Sequence, residues 1–157
     1  KLLIRLIFDG CLRVSEAITI RPQDFVQTPD GWQIRVFGKG KKRSVVAIST
    51  SLVAQLQAYA YRKQIVHDAR MFPVNRTRVH QIMQKAFDDS GLSKPDHVGA
   101  VHVLRHSGAL ERLRRTGNPK AVQDQLRHNS AQMTIRYMKT LSHQESMKIQ
   151  QGIDLQW

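Results

Sequence analysis

The sequence predicts an α+β domain that is mostly helical, with one small antiparallel three-stranded sheet in its N-terminal third. Three observations support this fold class. Hydrophobic residues make up 41% of the 157 residues, as in a globular domain with one core. Short β-like runs occur together between about residues 24 and 48. After Ser49, apolar residues recur at helical spacing almost to the end of the chain.

The N-terminal third begins with two short helices. Residues 1–9 form an amphipathic pattern, and "RVSEAITI" predicts a second helix with Ser15 as its N-cap. Pro22 ends that helix because proline cannot continue it. Strands are then expected near residues 24–27, in "GWQIRVFG" and in "RSVVAIS", and the basic turn "GKGKK" connects the last two.

Helices are predicted for most of the remaining chain. Asn75 or Thr77 caps one of them, Gly91 ends it, and Gly117 with Pro119 stops the next. The predicted helices cover residues 51–67, 75–92, 101–117, 119–128, 131–139 and 142–152.

The chain is strongly basic. Lys and Arg number 25 against 12 acidic residues, which gives a formal net charge of +13. This excess indicates a polyanionic partner, with nucleic acid the first candidate and an anionic membrane surface the second. No apolar run approaches the roughly 20 residues of a membrane-spanning helix. The single cysteine, Cys11, excludes an internal disulfide and fits a reducing cytosol.

The tyrosine in "TIRYMKT" lies in a cationic stretch, which has a chemical interpretation if the partner is DNA. A phenol can attack phosphorus and form a phosphotyrosine ester. Its pKa is about 10, so Tyr137 needs nearby cations or a base. Guanidinium groups suit the negative charge of the transition state, because they bind two oxygens through a planar fork. A lysine can protonate the leaving 5′-oxygen.

Each candidate residue also has a plainer interpretation when it is taken alone. Arg13 can pair with Glu16 one helical turn later. His102 can be an ordinary helix-face histidine, and His128 can lie at a helix C-terminus. The segment "GKGKKR" can be a solvated turn, and a tyrosine such as Tyr137 is most often part of a core.

Together and in this order, the motifs resemble those of the tyrosine recombinases, the phage integrase family. Members typically show "TGLR-x-SE", a "GKG-x-K-x-R" hairpin, "H-x-LRH", "LGH" and "T-x-x-Y". This chain has "GCLRVSE", "GKGKKR", "HVLRH", "LRH" and "TIRY". The resemblance covers essentially all 157 residues, as a catalytic domain only. Cys11 and Arg127 stand where the family usually has glycine, which allows a tight turn or close backbone approach.

The resemblance implies a role for each matching residue. Tyr137 would be the nucleophile that takes the 3′-phosphate of a DNA strand and frees a 5′-hydroxyl, and Glu16 would orient the active site. No metal, ATP or other cofactor is then required. The other expected catalytic residues are Arg13 and Arg105 on the phosphate oxygens, His102 in acid–base work or phosphate binding, His128 as a hydrogen-bond donor, and Lys39 as the proton donor.

The expected partner is double-stranded DNA. A tetramer of recombinase subunits on DNA is also expected, with Ser142–Trp157 passing to a neighbouring subunit, and accessory DNA-bending proteins are a further candidate. The DNA-clamping N-terminal domain usual in the family is not in this chain, so the chain is expected to be part of a longer cytoplasmic protein. Additional DNA contacts are predicted for Lys41, Lys42, Arg43, Arg76, Arg78 and Arg127.

Three alternatives remain open. A type IB topoisomerase shares the chemistry but relaxes DNA as a monomer. A DNA-binding regulator on a decayed recombinase scaffold would bind without cleaving. A plain basic DNA-binding module would show salt-sensitive binding and no covalent adduct.

Overall fold

The computed structural model describes residues 1–38, 43–92 and 98–128, together with Gln132, Thr134, Ile135, Lys139 and Met147. Within these residues the chain is mostly helical, with one sheet early in the chain, as predicted. The helices are α1 (Leu2–Asp9), α2 (Val14–Ala17), α3 (Thr50–Arg62), α4 (Arg76–Ser90), α5 (Ala100–Thr116) and α6 (Pro119–Leu126), and the strands are β1 (Phe25–Thr28), β2 (Gly31–Phe37) and β3 (Arg43–Ile48), with a 3₁₀ turn at Pro22–Asp24 before β1.

The sheet is antiparallel with the strand order β1-β2-β3. Ile34 pairs with Phe25 on one side and with Val46 on the other. Because side chains alternate along a strand, one face buries Ile34, Val36, Val46 and Ile48. The prediction of a small three-stranded sheet is therefore confirmed.

The buried residues form two clusters. The larger one joins the sheet with α1, α3 and the facing sides of α4 and α5. The smaller one lies between the end of α1, α5 and α6, and comprises Cys11, Ala109, Leu113, Val122 and Leu126. This second cluster holds the ends of α1 and α6 against the middle of α5. No helix in the described ranges is long and apolar enough to span a membrane.

Several helix ends match the prediction because local signals determine them. The Asn75 side chain caps α4 by accepting from the Arg78 amide at 2.8 Å. Gly91 and Gly117 follow α4 and α5 in the left-handed conformation, with φ of 66° and 61°. Asn118 caps α6 in the same way as Asn75 caps α4, accepting from the Ala121 amide at 3.1 Å.

Several predicted boundaries are wrong. Helix α2 already ends at Ala17, so Pro22 does not end it and instead begins the 3₁₀ turn. Ser15 is not the N-cap of α2: that position is Arg13, whose amide donates to the Glu16 side chain at 2.7 Å. Glu16, the third residue of the helix, thus accepts from the amide of the N-cap residue, as the glutamate of a capping box does. Helix α3 ends at Arg62 instead of continuing to residue 67, because Gln64 turns the chain with φ of 52°.

The C-terminal predictions can be assessed only in part. Helix α6 ends at Leu126, two residues before the predicted end at His128. The helices predicted for residues 131–139 and 142–152 fall largely outside the described residues. Of the positions described there, Gln132, Thr134, Ile135 and Met147 are helical.

Candidate active site

The first turn that shapes the site ends helix α1. Cys11 is buried and left-handed, with φ of 47°. The Leu12 amide donates to the Ile7 carbonyl at 3.0 Å, and the Cys11 amide donates to the Phe8 carbonyl at 3.3 Å. This pair of bonds is the Schellman motif, whose left-handed residue is usually glycine. The chain therefore keeps a glycine-like backbone at Cys11.

The second turn ends helix α6 in the same way. Arg127 is left-handed with φ of 56°. The His128 amide donates to the Gln123 carbonyl at 3.1 Å, and the Arg127 amide donates to the Asp124 carbonyl at 3.0 Å. Both positions that depart from the family's glycine thus retain the tight turn, and only their side chains differ.

The Arg105 side chain of α5 connects these two turns. Its Nη1 donates to the Cys11 carbonyl, and its Nη2 donates to the Leu126 carbonyl at 2.9 Å. Only 5% of the side chain is exposed. Backbone carbonyls at the ends of two different helices therefore fix where this guanidinium lies.

The Glu16 carboxylate lies at the centre of a cluster of arginines and is 1% exposed. Its Oε1 accepts from Arg13 Nη1 at 3.0 Å. Its Oε2 accepts from the Arg13 amide at 2.7 Å and from Arg127 Nη2 at 2.6 Å, and it lies 4.0 Å from Arg105 Nη1. One buried negative charge thus faces three guanidinium groups. This excess of fixed positive charge suits an anion with several oxygens.

The environment of Arg127 differs from that of Arg13. The Arg13 side chain is 46% exposed, whereas that of Arg127 is 10% exposed. Arg127 Nη1 also donates to the Gln125 carbonyl at 2.8 Å. Burial lowers the pKa of Arg127, and the negative charge of Glu16 opposes that shift. Arg127 therefore faces into the protein.

Histidines on α5 and just after α6 lie near Arg105. His102 is exposed one turn before Arg105 on α5, and its ring centroid lies 5.2 Å from that of His106. Burial lowers the pKa of His128 to about 4, and the charges of Arg105 and Arg13 contribute to the shift. His128 is therefore neutral near pH 7, with one N–H to donate and one nitrogen to accept.

A buried glutamine attaches α6 to the sheet. The Gln125 Nε2 donates to the Ala47 carbonyl at 2.8 Å, and its Oε1 accepts from the Ala47 amide at 3.0 Å. The amide thus pairs with the edge strand β3 as a neighbouring strand would. Strand β3 begins at Arg43, directly after the basic sequence "GKGKK", and α6 ends at Leu126, two residues before His128. The sequence reasoning missed this contact, since a glutamine in a helix gives no signal for it.

The structure brings together the predicted residues Arg13, Glu16, Arg105 and His128, with His102 on the same helix as Arg105. The predicted DNA contacts Arg43, Arg76 and Arg78 are exposed, the first on β3 and the others in the first turn of α4. Within the described ranges, no three His, Cys, Asp or Glu side chains are arranged to hold a metal ion. Four predicted residues lie outside the described residues: Lys39, Lys41, Lys42 and Tyr137.

Comparison with known proteins identifies similar sequences. A model of the phage integrase family matches residues 1–144. Tyrosine recombinase XerC of Chlamydia pneumoniae is 29% identical, over 92% of this chain and 50% of the relative. Tyrosine recombinase XerH of Campylobacter jejuni is 31% identical, over 83% of this chain and 38% of the relative. The chain thus spans half or less of the length of these relatives.

Solved structures share the fold. A XerH site-specific recombinase bound to palindromic difH substrate in a post-cleavage complex gives a TM-score of 0.76 at 22% identity, over 96% of this chain and 43% of that one. The catalytic domain of bacteriophage HP1 integrase gives 0.69 at 25% identity, over 94% of this chain and 79% of that one. These likenesses confirm the predicted fold class.

Proposed function

Because the chain belongs to the phage integrase family, we propose that it is the catalytic part of a site-specific DNA recombinase acting through a 3′-phosphotyrosine intermediate. The observation that carries the proposal is the cluster of Arg13 and Arg105 around the buried Glu16 carboxylate. A scissile phosphate gains negative charge in the transition state, and fixed guanidinium groups stabilise that charge. The relatives are named tyrosine recombinases, which agrees with this reading.

In the proposed reaction, the Tyr137 oxygen loses its proton, for which His102 is the candidate acceptor, and bonds to phosphorus. The bond between phosphorus and the 5′-oxygen breaks, and Lys39 protonates that oxygen. Arg13 and Arg105 bind the non-bridging oxygens. A preorganised donor of this kind is worth about 2.7–4 kcal/mol in comparable sites, so loss of either arginine should nearly abolish cleavage.

His128 is the proposed third donor to the phosphate. Its Nδ1 lies 3.4 Å from the Thr134 hydroxyl oxygen. Thr134 begins the motif "TIRY", which ends at Tyr137. The contact supports a single site for His128 and this motif.

The partners of the reaction follow from its chemistry. The phosphotyrosine ester keeps the energy of the broken bond, so a 5′-hydroxyl of another strand can attack it and release Tyr137 without ATP or a metal. Double-stranded DNA is the proposed substrate, as in the similar XerH complex with difH. We also propose assembly with other recombinase subunits through residues 142–157, in the bacterial cytoplasm.

A covalent trapping assay tests the proposal. The protein is incubated with a nicked suicide duplex that carries the end sequence of its own genetic element, and the products are separated on a denaturing gel. We expect a covalent protein–DNA band with the unaltered chain and none with Tyr137→Phe. Tyr61→Phe is the matched control, because Tyr61 is 87% exposed on α3 and should leave the band intact.

Other outcomes would favour other functions. Relaxation of supercoiled plasmid without a specific site would indicate a type IB topoisomerase. Salt-sensitive binding without a covalent band, in the complete protein on its own site, would contradict the catalytic proposal and favour a regulator.

A further inference from the structure

We propose that Arg127 is a positioning residue of the active site, which holds the Glu16 carboxylate and keeps Arg105 in place without contacting DNA. This inference rests on the proposed function. It concerns a position where family members usually have glycine, so it assigns a role to a side chain that they do not have.

The contacts of Arg127 are directed into the protein. Its Nη2 donates to Glu16 Oε2 at 2.6 Å, and its Nη1 donates to the Gln125 carbonyl at 2.8 Å. Its Nε is buried and has no hydrogen-bond partner within the described part of the chain. A DNA phosphate could reach this guanidinium only if the side chain left these partners. A direct phosphate contact therefore fits the geometry less well than a role inside the site.

The bond between Arg127 and Glu16 determines how closely Arg105 can approach the Glu16 carboxylate. Arg105 Nη1 lies 4.0 Å from Glu16 Oε2, which already accepts from Arg127 and from the Arg13 amide. Without Arg127, that oxygen would have room for a closer bond with Arg105. The Arg105 guanidinium would then shift toward Glu16 and away from the Cys11 carbonyl. Arg127 thus keeps Arg105 on the two helix-end carbonyls.

The backbone allows a clean test. Arg127 is left-handed, and glycine adopts that conformation without steric cost. Arg127→Gly therefore removes the side chain and preserves the turn that precedes His128. Arg127→Lys keeps the charge but has no planar fork to bind Glu16 and the Gln125 carbonyl together.

The experiment measures two quantities for each variant: the salt dependence of DNA affinity and the single-turnover rate of covalent adduct formation. For Arg127→Gly we expect an unchanged salt slope and a rate that falls on the order of 10- to 100-fold, because catalysis is sensitive to small displacements of catalytic groups. The adduct rate of Arg127→Lys should lie between the rates of the unaltered protein and of Arg127→Gly. Once Glu16→Gln is present, adding Arg127→Gly should change the rate little, since Arg127 acts through Glu16.

Three results would overturn the inference. If Arg127→Gly lowered the magnitude of the salt slope by about 0.9, a phosphate contact would have been lost. An unchanged adduct rate in Arg127→Gly would mean that the side chain is dispensable for positioning. Additive rate losses in the double variant would mean that Arg127 does not act through Glu16. If the complete protein forms no adduct on its own site, the proposed function fails together with this inference, whereas the three results above leave the proposed function intact.

Discussion

Cys11 and Arg127 adopt left-handed backbone angles that cost most L-residues about 1–2 kcal/mol. In each case the turn serves Arg105, which donates to the carbonyl of Cys11 at one helix end and to that of Leu126 at the other. Burial raises the pKa of the Cys11 thiol, which disfavours the nucleophilic thiolate form. These two residues form the turns that place the Cys11 and Leu126 carbonyls against Arg105.

His128 provides a prediction at the same scale. Burial lowers its pKa in the folded chain to about 4, below the value of 6.5 expected when unfolded. The folded state therefore binds fewer protons than the unfolded state between these two pH values. We expect His128 to reduce the free energy of unfolding progressively as the pH falls from 6.5 to about 4, and by a constant amount below that.

Two measurements check this prediction for His128. An NMR titration of the imidazole should give a midpoint near pH 4, and a midpoint near 6.5 would contradict it. The free energy of unfolding of His128→Gln should lose part of its pH dependence in the same window. Because His128 is only partly buried, solvent screening will make this change small.

At the scale of elements, α1 and α5 are in close contact at Gly108. A Cβ added there would lie 2.1 Å from the Phe8 carbonyl oxygen, which belongs to the backbone and cannot rotate away. We expect Gly108→Ala to lower the free energy of unfolding by more than about 2 kcal/mol, because overpacking a close contact forces the helices apart. Denaturant unfolding measures this change.

The neighbouring Ser107 supplies the control for Gly108→Ala. Ser107 is exposed on the same helix, so Ser107→Ala should change stability by no more than about 0.5 kcal/mol. Equal effects of the two substitutions would show that helix propensity, and not the contact with α1, determines the result.

The elements also show what the sequence can predict. Short β-like runs predicted the sheet, and Asn75, Gly91 and Gly117 predicted helix ends, because these signals act over a few residues. The prediction failed for the cap of α2, where Arg13 is the N-cap and Glu16 accepts from its amide. It also missed the pairing of Gln125 with Ala47, which lie 78 residues apart in sequence.

At the scale of the whole molecule, the sequence predicted a set of candidate site residues, but not how they contact one another. The ordered motifs identified Arg13, Arg105 and His128 as a set. The bond from Arg127 to Glu16 spans 111 residues, and nothing local to either residue indicates it. Backbone acceptors such as the Cys11 carbonyl are equally invisible, because every residue has one. Such contacts depend on how the helices pack.

The net charge of +13 leads to a prediction for the chain as a whole. DNA affinity should fall linearly on a log–log plot against salt concentration, with a slope of about −0.9 for each phosphate contacted. If the contacts are localised on α4, the double variant Arg76→Ala, Arg78→Ala should reduce the magnitude of that slope by roughly 1.8.

The matched control is Arg62→Ala with Arg115→Ala, which removes the same charge from exposed positions on α3 and α5. Fluorescence anisotropy at several salt concentrations measures both slopes. Equal reductions would mean that overall charge, and not the α4 surface, governs binding, whereas a larger reduction for the α4 pair would assign that helix to the DNA interface.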